Sequence, residues 1–97
     1  MSDTIRITPS EVRAIRDNFN AKADETRDLI SYLRSEIASL DGSWEGAAKN
    51  QFTINFDEAG KMLDQVPEGL VGVADILESI AATLEDLDAQ LASQIRQ

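Results

Sequence analysis

Apolar residues recur along this chain at steps of three and four in two long runs, interrupted once, almost at the midpoint, by Asp41-Gly42-Ser43-Trp44-Glu45-Gly46. Such spacing lays an apolar stripe along one side of an α-helix, because successive side chains turn by about 100°. The first run is Val12, Ile15, Phe19, Ala23, Thr26, Ile30, Leu33, Ile37 and Leu40, with Thr26 its weakly apolar member and Leu29 widening the stripe. Ahead of it, Thr8-Pro9-Ser10-Glu11 combines a capping threonine, a proline at the first helical position and a glutamate placed for a capping box. Helix one is predicted over 9–41, with Gly42 just past its end, a turn over 42–46, and Ser43 available to cap the next helix.

The second run is longer: Phe52, Phe56, Ala59, Leu63, Val66, Leu70, Val73, Leu77, Ile80, Leu84, Leu87 and Leu91 keep the three-four alternation without a slip. It predicts a helix over 47–95 with a coiled-coil-like seam. Pro67 lies inside it, with Gly69 and Gly72 close behind, and an interior proline removes a backbone hydrogen bond at a cost of ~3 kcal/mol or more. Because the seam keeps its phase across Pro67, a kink in one helix is favoured over two helices joined by a loop.

Folded back about residue 43, the chain makes an antiparallel helix-turn-helix hairpin in which the start of helix one faces residue 78. The segment 79–97 then overhangs by about 25 Å at ~1.5 Å per residue. It still displays Ile80, Leu84, Leu87, Leu91 and Ile95 on one side, and such a stripe needs a partner. A hairpin of this size does not bury all its apolar residues alone, so the expected fold class is all-α, two chains forming a four-helix bundle dimer. Its expected hairpin and dimer core is Val12, Ile15, Phe19, Leu29, Ile30, Leu33, Ile37, Leu40, Phe52, Phe56, Leu63, Val66, Leu70, Val73 and Leu77. Periodicity leaves the identity of the second chain open.

Composition removes most chemistry. With neither cysteine nor histidine the chain has no disulfide, no thiolate or imidazole metal ligand and no histidine base. Paired acids such as Asp24-Glu25, Asp57-Glu58 and Glu85-Asp86 diverge by about 100° on a helix and read as solvated faces. No catalytic residue, cofactor or metal is expected. A net charge of −9 disfavours nucleic acid and anionic membranes and favours a basic partner surface. Between residues 62 and 95 there are seven acids and no base, so the tail is expected to fray alone, away from such a partner. The N-terminal residues lack the apolar run of a signal peptide, and no stretch is apolar enough to span a bilayer, so stable membrane insertion is not expected.

Trp44 is the feature these properties leave unexplained: the only tryptophan, in a glycine-flanked turn. Read from the residues, it is either a lid on the hairpin core or a lid that is also a recognition contact. A chain of about a hundred residues with Trp44-Glu45-Gly46 between two long helices resembles the WXG family, the small early-secreted-antigen-like substrates of type VII secretion. The resemblance covers the whole chain. Leu84, Asp88, Leu91 and Ile95 also fill the C-terminal pattern of that family's homodimeric members, while the Tyr-based tail signal of its mycobacterial heterodimers is absent. Tyr32 and Glu36 have its spacing, but in helix one.

The resemblance implies an antiparallel dimer in which Trp44 and Gly46 of one chain lie beside Leu84, Asp88, Leu91 and Ile95 of the other as a composite export signal. It also implies a membrane-anchored secretion ATPase as reader, and a secreted protein without a classical signal peptide. Two alternatives stand beside it: a heterodimeric partner or adapter for a larger secreted toxin, and a protein that inserts into membranes when acid neutralises its carboxylates.

Overall fold

The capping signal at Thr8 acts as the sequence predicts. The Thr8 hydroxyl accepts from the Glu11 backbone N–H at 3.2 Å, and Pro9 occupies the first helical position, where a missing N–H costs nothing. The Glu11 carboxylate accepts from the Thr8 hydroxyl at 3.0 Å, so the pair closes through side chains. From there α1 runs Pro9–Ala38, and α2 runs Ala47–Ile95. The computed structural model describes residues 7–40 and 46–95, and among them there is no strand. The two helices form an antiparallel hairpin, a rod of 78 × 25 × 17 Å.

Helix one stops three residues short of its expected end at 41. The Ser39 hydroxyl donates to the Glu36 carbonyl at 2.6 Å, and the Leu40 N–H bonds back to Ile37 at 3.0 Å in a tighter, three-residue step. These bonds satisfy terminal carbonyls and close the helix there. Gly42 and Ser43, expected to end one helix and start the next, lie outside the described residues. α2 passes through Pro67 as one 49-residue helix, so the reading with two helices joined by a loop does not hold.

The register differs from the expectation. The end of α1, Ile37 and Ala38, shares a groove with Phe52, Thr53 and Phe56, so the first turns of α2 stand beyond it. That offset carries to the other end, where Arg13 meets Glu78 and Glu85. The 19 residues by which α2 exceeds α1, about 28 Å at ~1.5 Å each, are therefore shared between the two ends. The expected overhang from residue 79 is correspondingly shorter, and Leu84, Asp88 and Leu91 lie beside the start of α1.

The seam itself also corrects the sequence reading. The positions of α2 buried against α1 are Gly60, Pro67, Ala74 and Ala81, one small residue every seventh position. They meet Val12, Ala23 and Ile30, the buried residues of α1. Small side chains let helix axes come close. Phe19, Ile37, Phe52, Phe56, Leu70, Leu77 and Leu84 are half-buried along its edges. Part of the stripe expected for the hairpin and dimer core is turned aside from the seam. Leu63, Val66, Val73, Ile80, Leu87 and Leu91 of α2, with Ile15, Leu29, Leu33 and Leu40 of α1, remain exposed.

A ladder of charges flanks the seam. Arg34 pairs with Asp64 at 3.1 Å and Arg13 with Glu85 at 2.5 Å, and the two rungs are separated by three heptads on each helix. Pairs at such flanking positions fix orientation and register.

Candidate functional site

Of the residues expected to form the export signal, Gly46 lies at one end of the rod and Leu84, Asp88 and Leu91 lie at the other. At the turn, Gly46 has φ +86° and precedes α2 directly; its carbonyl accepts from the Asn50 N–H at 3.1 Å, opening the helix. A Cβ there would meet nothing within 4 Å, so backbone conformation and not space demands glycine. Trp44 lies outside the described residues. Next to the turn, Phe52 and Phe56 stack with ring centroids 5.8 Å apart, closing that end of the hairpin.

At the opposite end, Ile7, Pro9, Val12 and Ile15 face Leu77, Ile80, Leu84, Asp88 and Leu91 across an apolar groove of about 700 Å³. The structure thus brings Leu84, Asp88 and Leu91 together along one groove. α2 reaches Ile95, whose side chain is not described. Leu84 is half-buried, while Asp88 and Leu91 are exposed on the groove's outer wall. Within one chain the halves do not meet: 38 residues of helix separate Gly46 from Leu84, about 57 Å at ~1.5 Å per residue.

The far end is held by a charge cluster that the sequence reading missed. Arg13 donates through Nε and Nη2 to Glu78 at 3.1 and 3.0 Å, and through Nη1 and Nη2 to Glu85 at 2.5 and 2.9 Å. Arg16 joins Glu78 and also binds its neighbour Asp17 at 2.7 Å. The Glu85 and Glu78 carboxylates raise the pKa of Arg13 further above its ordinary value, and Arg16 is raised by Asp17 and then Glu78. In return Arg13 holds both glutamates below the usual carboxylate range, with Arg16 adding to the effect on Glu78. The acidic second half of α2 therefore finds part of its basic partner in α1 of the same chain. Arg13 and Arg34 on one helix and Asp64 and Glu85 on the other, each pair 21 residues apart, were the available signal.

Among the described residues no group of His, Cys, Asp or Glu could hold a metal, and no helix is long and apolar enough to cross a membrane. What the described surface offers is an apolar face and the groove at the far end.

The family model for proteins of 100 residues with WXG (WXG100) matches residues 4–89. This chain belongs to the WXG100 family. YukE of Bacillus subtilis is 30% identical over 96 residues, covering 99% of both chains. The type VII secretion system extracellular protein A of Staphylococcus aureus is 25% identical over 89 residues, 92% of each. Among solved structures, EsxA of Geobacillus thermodenitrificans superimposes with a TM-score of 0.76 at 33% identity, covering 94% of this chain and all of that one. The secreted protein EsxB of Bacillus anthracis gives 0.76 at 32% identity, covering 90% and 99%. The hairpin of this WXG100 protein is thus shared along nearly its whole length.

Proposed function

We propose that this WXG100 protein is a non-enzymatic substrate of a type VII secretion system, exported as a folded homodimer. Its export signal is composite: Trp44 and Gly46 of one chain beside Leu84, Asp88, Leu91 and Ile95 of the other. The observation that carries this reading is the separation of about 57 Å between the halves within one chain, at ~1.5 Å per helical residue. Only a second chain, laid antiparallel, closes that distance. The exposed face of leucine, isoleucine and valine on both helices supplies the surface for it, and large contiguous apolar patches mark such interfaces. Membership of the family and the name of the staphylococcal relative support secretion as the outcome, with the pathway's ATPase as reader of the assembled signal.

The test is export from a strain carrying its type VII machinery. Trp44→Arg, and separately Leu84→Ala with Asp88→Ala, should abolish appearance of the protein in the medium while the purified variants remain helical dimers by light scattering. Undiminished export of both would refute the signal. A wild-type chain that is dimeric only with a second gene product would instead favour the heterodimeric alternative.

A further inference from the structure

The exposed face of α1 carries a charge pattern that is complementary to itself. Along it, Ile15, Lys22, Leu29 and Glu36 follow one another at seven-residue steps. Ile15 is 48% and Leu29 55% exposed, and Ile15 shares the far-end groove with Ile80, so this stripe borders the apolar face of α2. Lys22 and Glu36 lie equally far on either side of Leu29. Lys22 reaches only a neighbour on its own helix, Glu25 at 3.1 Å, and both of those side chains are largely exposed.

Two copies of this stripe fit each other in one orientation. Laid antiparallel about a two-fold axis at Leu29, each Lys22 faces the other copy's Glu36, and Leu29 packs on its equivalent. Laid parallel, Lys22 faces Lys22 and Glu36 faces Glu36, which repel. An isologous contact of this kind repeats every pair twice, so one Lys and one Glu per chain make two bridges. We infer that Lys22 and Glu36 set the register of the homodimer and select a second copy of this chain as its partner.

This inference rests on the dimeric reading above and adds a consequence to it. Asn18 lies 11 residues before Leu29, and Leu40, just past the end of α1, lies 11 residues after it. The same register therefore carries the end of one chain's α1 to the start of the other's, toward the groove lined by Ile80, Leu84, Asp88 and Leu91.

Charge reversal tests it with the full chain. Lys22→Glu and Glu36→Lys should each weaken the homodimer about tenfold, two bridges becoming two repulsions, as a sum of modest exposed terms. The doubly reversed chain should recover. An equimolar mixture of the two single variants should form mainly the mixed dimer by native mass spectrometry, since every contact there is again opposite in sign. Circular dichroism checks that each variant keeps its helices, and the mixture controls for the altered contact with Glu25.

Orientation is read separately from a spin label at Asn18→Cys, unique because the chain has no cysteine. Antiparallel pairing about Leu29 separates the two labels by about 33 Å along the axis, against about 10 Å for a parallel pair. Single variants that dimerise as tightly as the wild type, with statistical mixing, would overturn the pairing and leave the dimer standing. A wild-type chain that stays monomeric at all concentrations would overturn both.

Discussion

Arg13 ties the two helices together at the end of the rod where export recognition is proposed. It holds Glu78 and Glu85 at once, and both carboxyls titrate below their unfolded values because of it. A carboxyl whose folded pKa is lowered contributes stability above its unfolded pKa, about 4.3, and loses that contribution as pH falls through the folded value. The hairpin should therefore weaken on acidification below about pH 4.3. Glu78→Gln with Glu85→Gln should flatten the pH dependence of the urea midpoint in that window. Equal slopes in variant and wild type would refute the assignment. Gly46 gives a second residue-scale test. Because its φ of +86° is unfavourable for any side chain, Gly46→Ala should cost about 1 kcal/mol in thermal unfolding, although a Cβ meets no neighbour.

The helices were legible in the sequence because the signals that make them are local. Thr8 and Pro9 start α1 where their capping chemistry predicts, and unbroken periodicity carries α2 through Pro67. Which face of α2 meets α1 was not legible by the same route. A large apolar stripe is the strongest feature of this helix, yet it only edges the seam or turns aside from it, and a heptad of small residues, Gly60, Pro67, Ala74 and Ala81, takes the centre. Periodicity identifies a stripe that needs burial but not whether its partner is in the same chain. Ala74→Leu should accordingly destabilise the hairpin by ~1–3 kcal/mol through overpacking. Val73→Ala, one position away on the exposed stripe, should leave the isolated hairpin nearly unchanged and weaken the dimer instead. Thermal unfolding at low concentration and sedimentation at high concentration separate the two effects.

At the scale of the molecule, length and register decide what the protein can do. One chain is a rod with Gly46 at one end and an apolar groove at the other. The overhanging tail expected from the sequence came from centring the hairpin on residue 43; the ladder of Arg34 with Asp64 and Arg13 with Glu85 shifts α2 so that Leu84 and Asp88 flank α1. Leu84, Asp88 and Leu91 thus line a groove built within one chain, and the proposed composite signal would add the turn of a second copy to it.

On the proposed reading, Trp44 of one chain works with the tail of the other. Trans-complementation measures this directly: one chain carries Trp44→Arg, the other Leu84→Ala and Asp88→Ala, and both are expressed in one strain with an active type VII system. Each variant alone should stay in the cells, whereas together they form a mixed dimer with one intact composite site, and both should appear in the medium. If co-expression rescues neither chain although the mixed dimer forms, the signal does not span the two chains and the account is wrong.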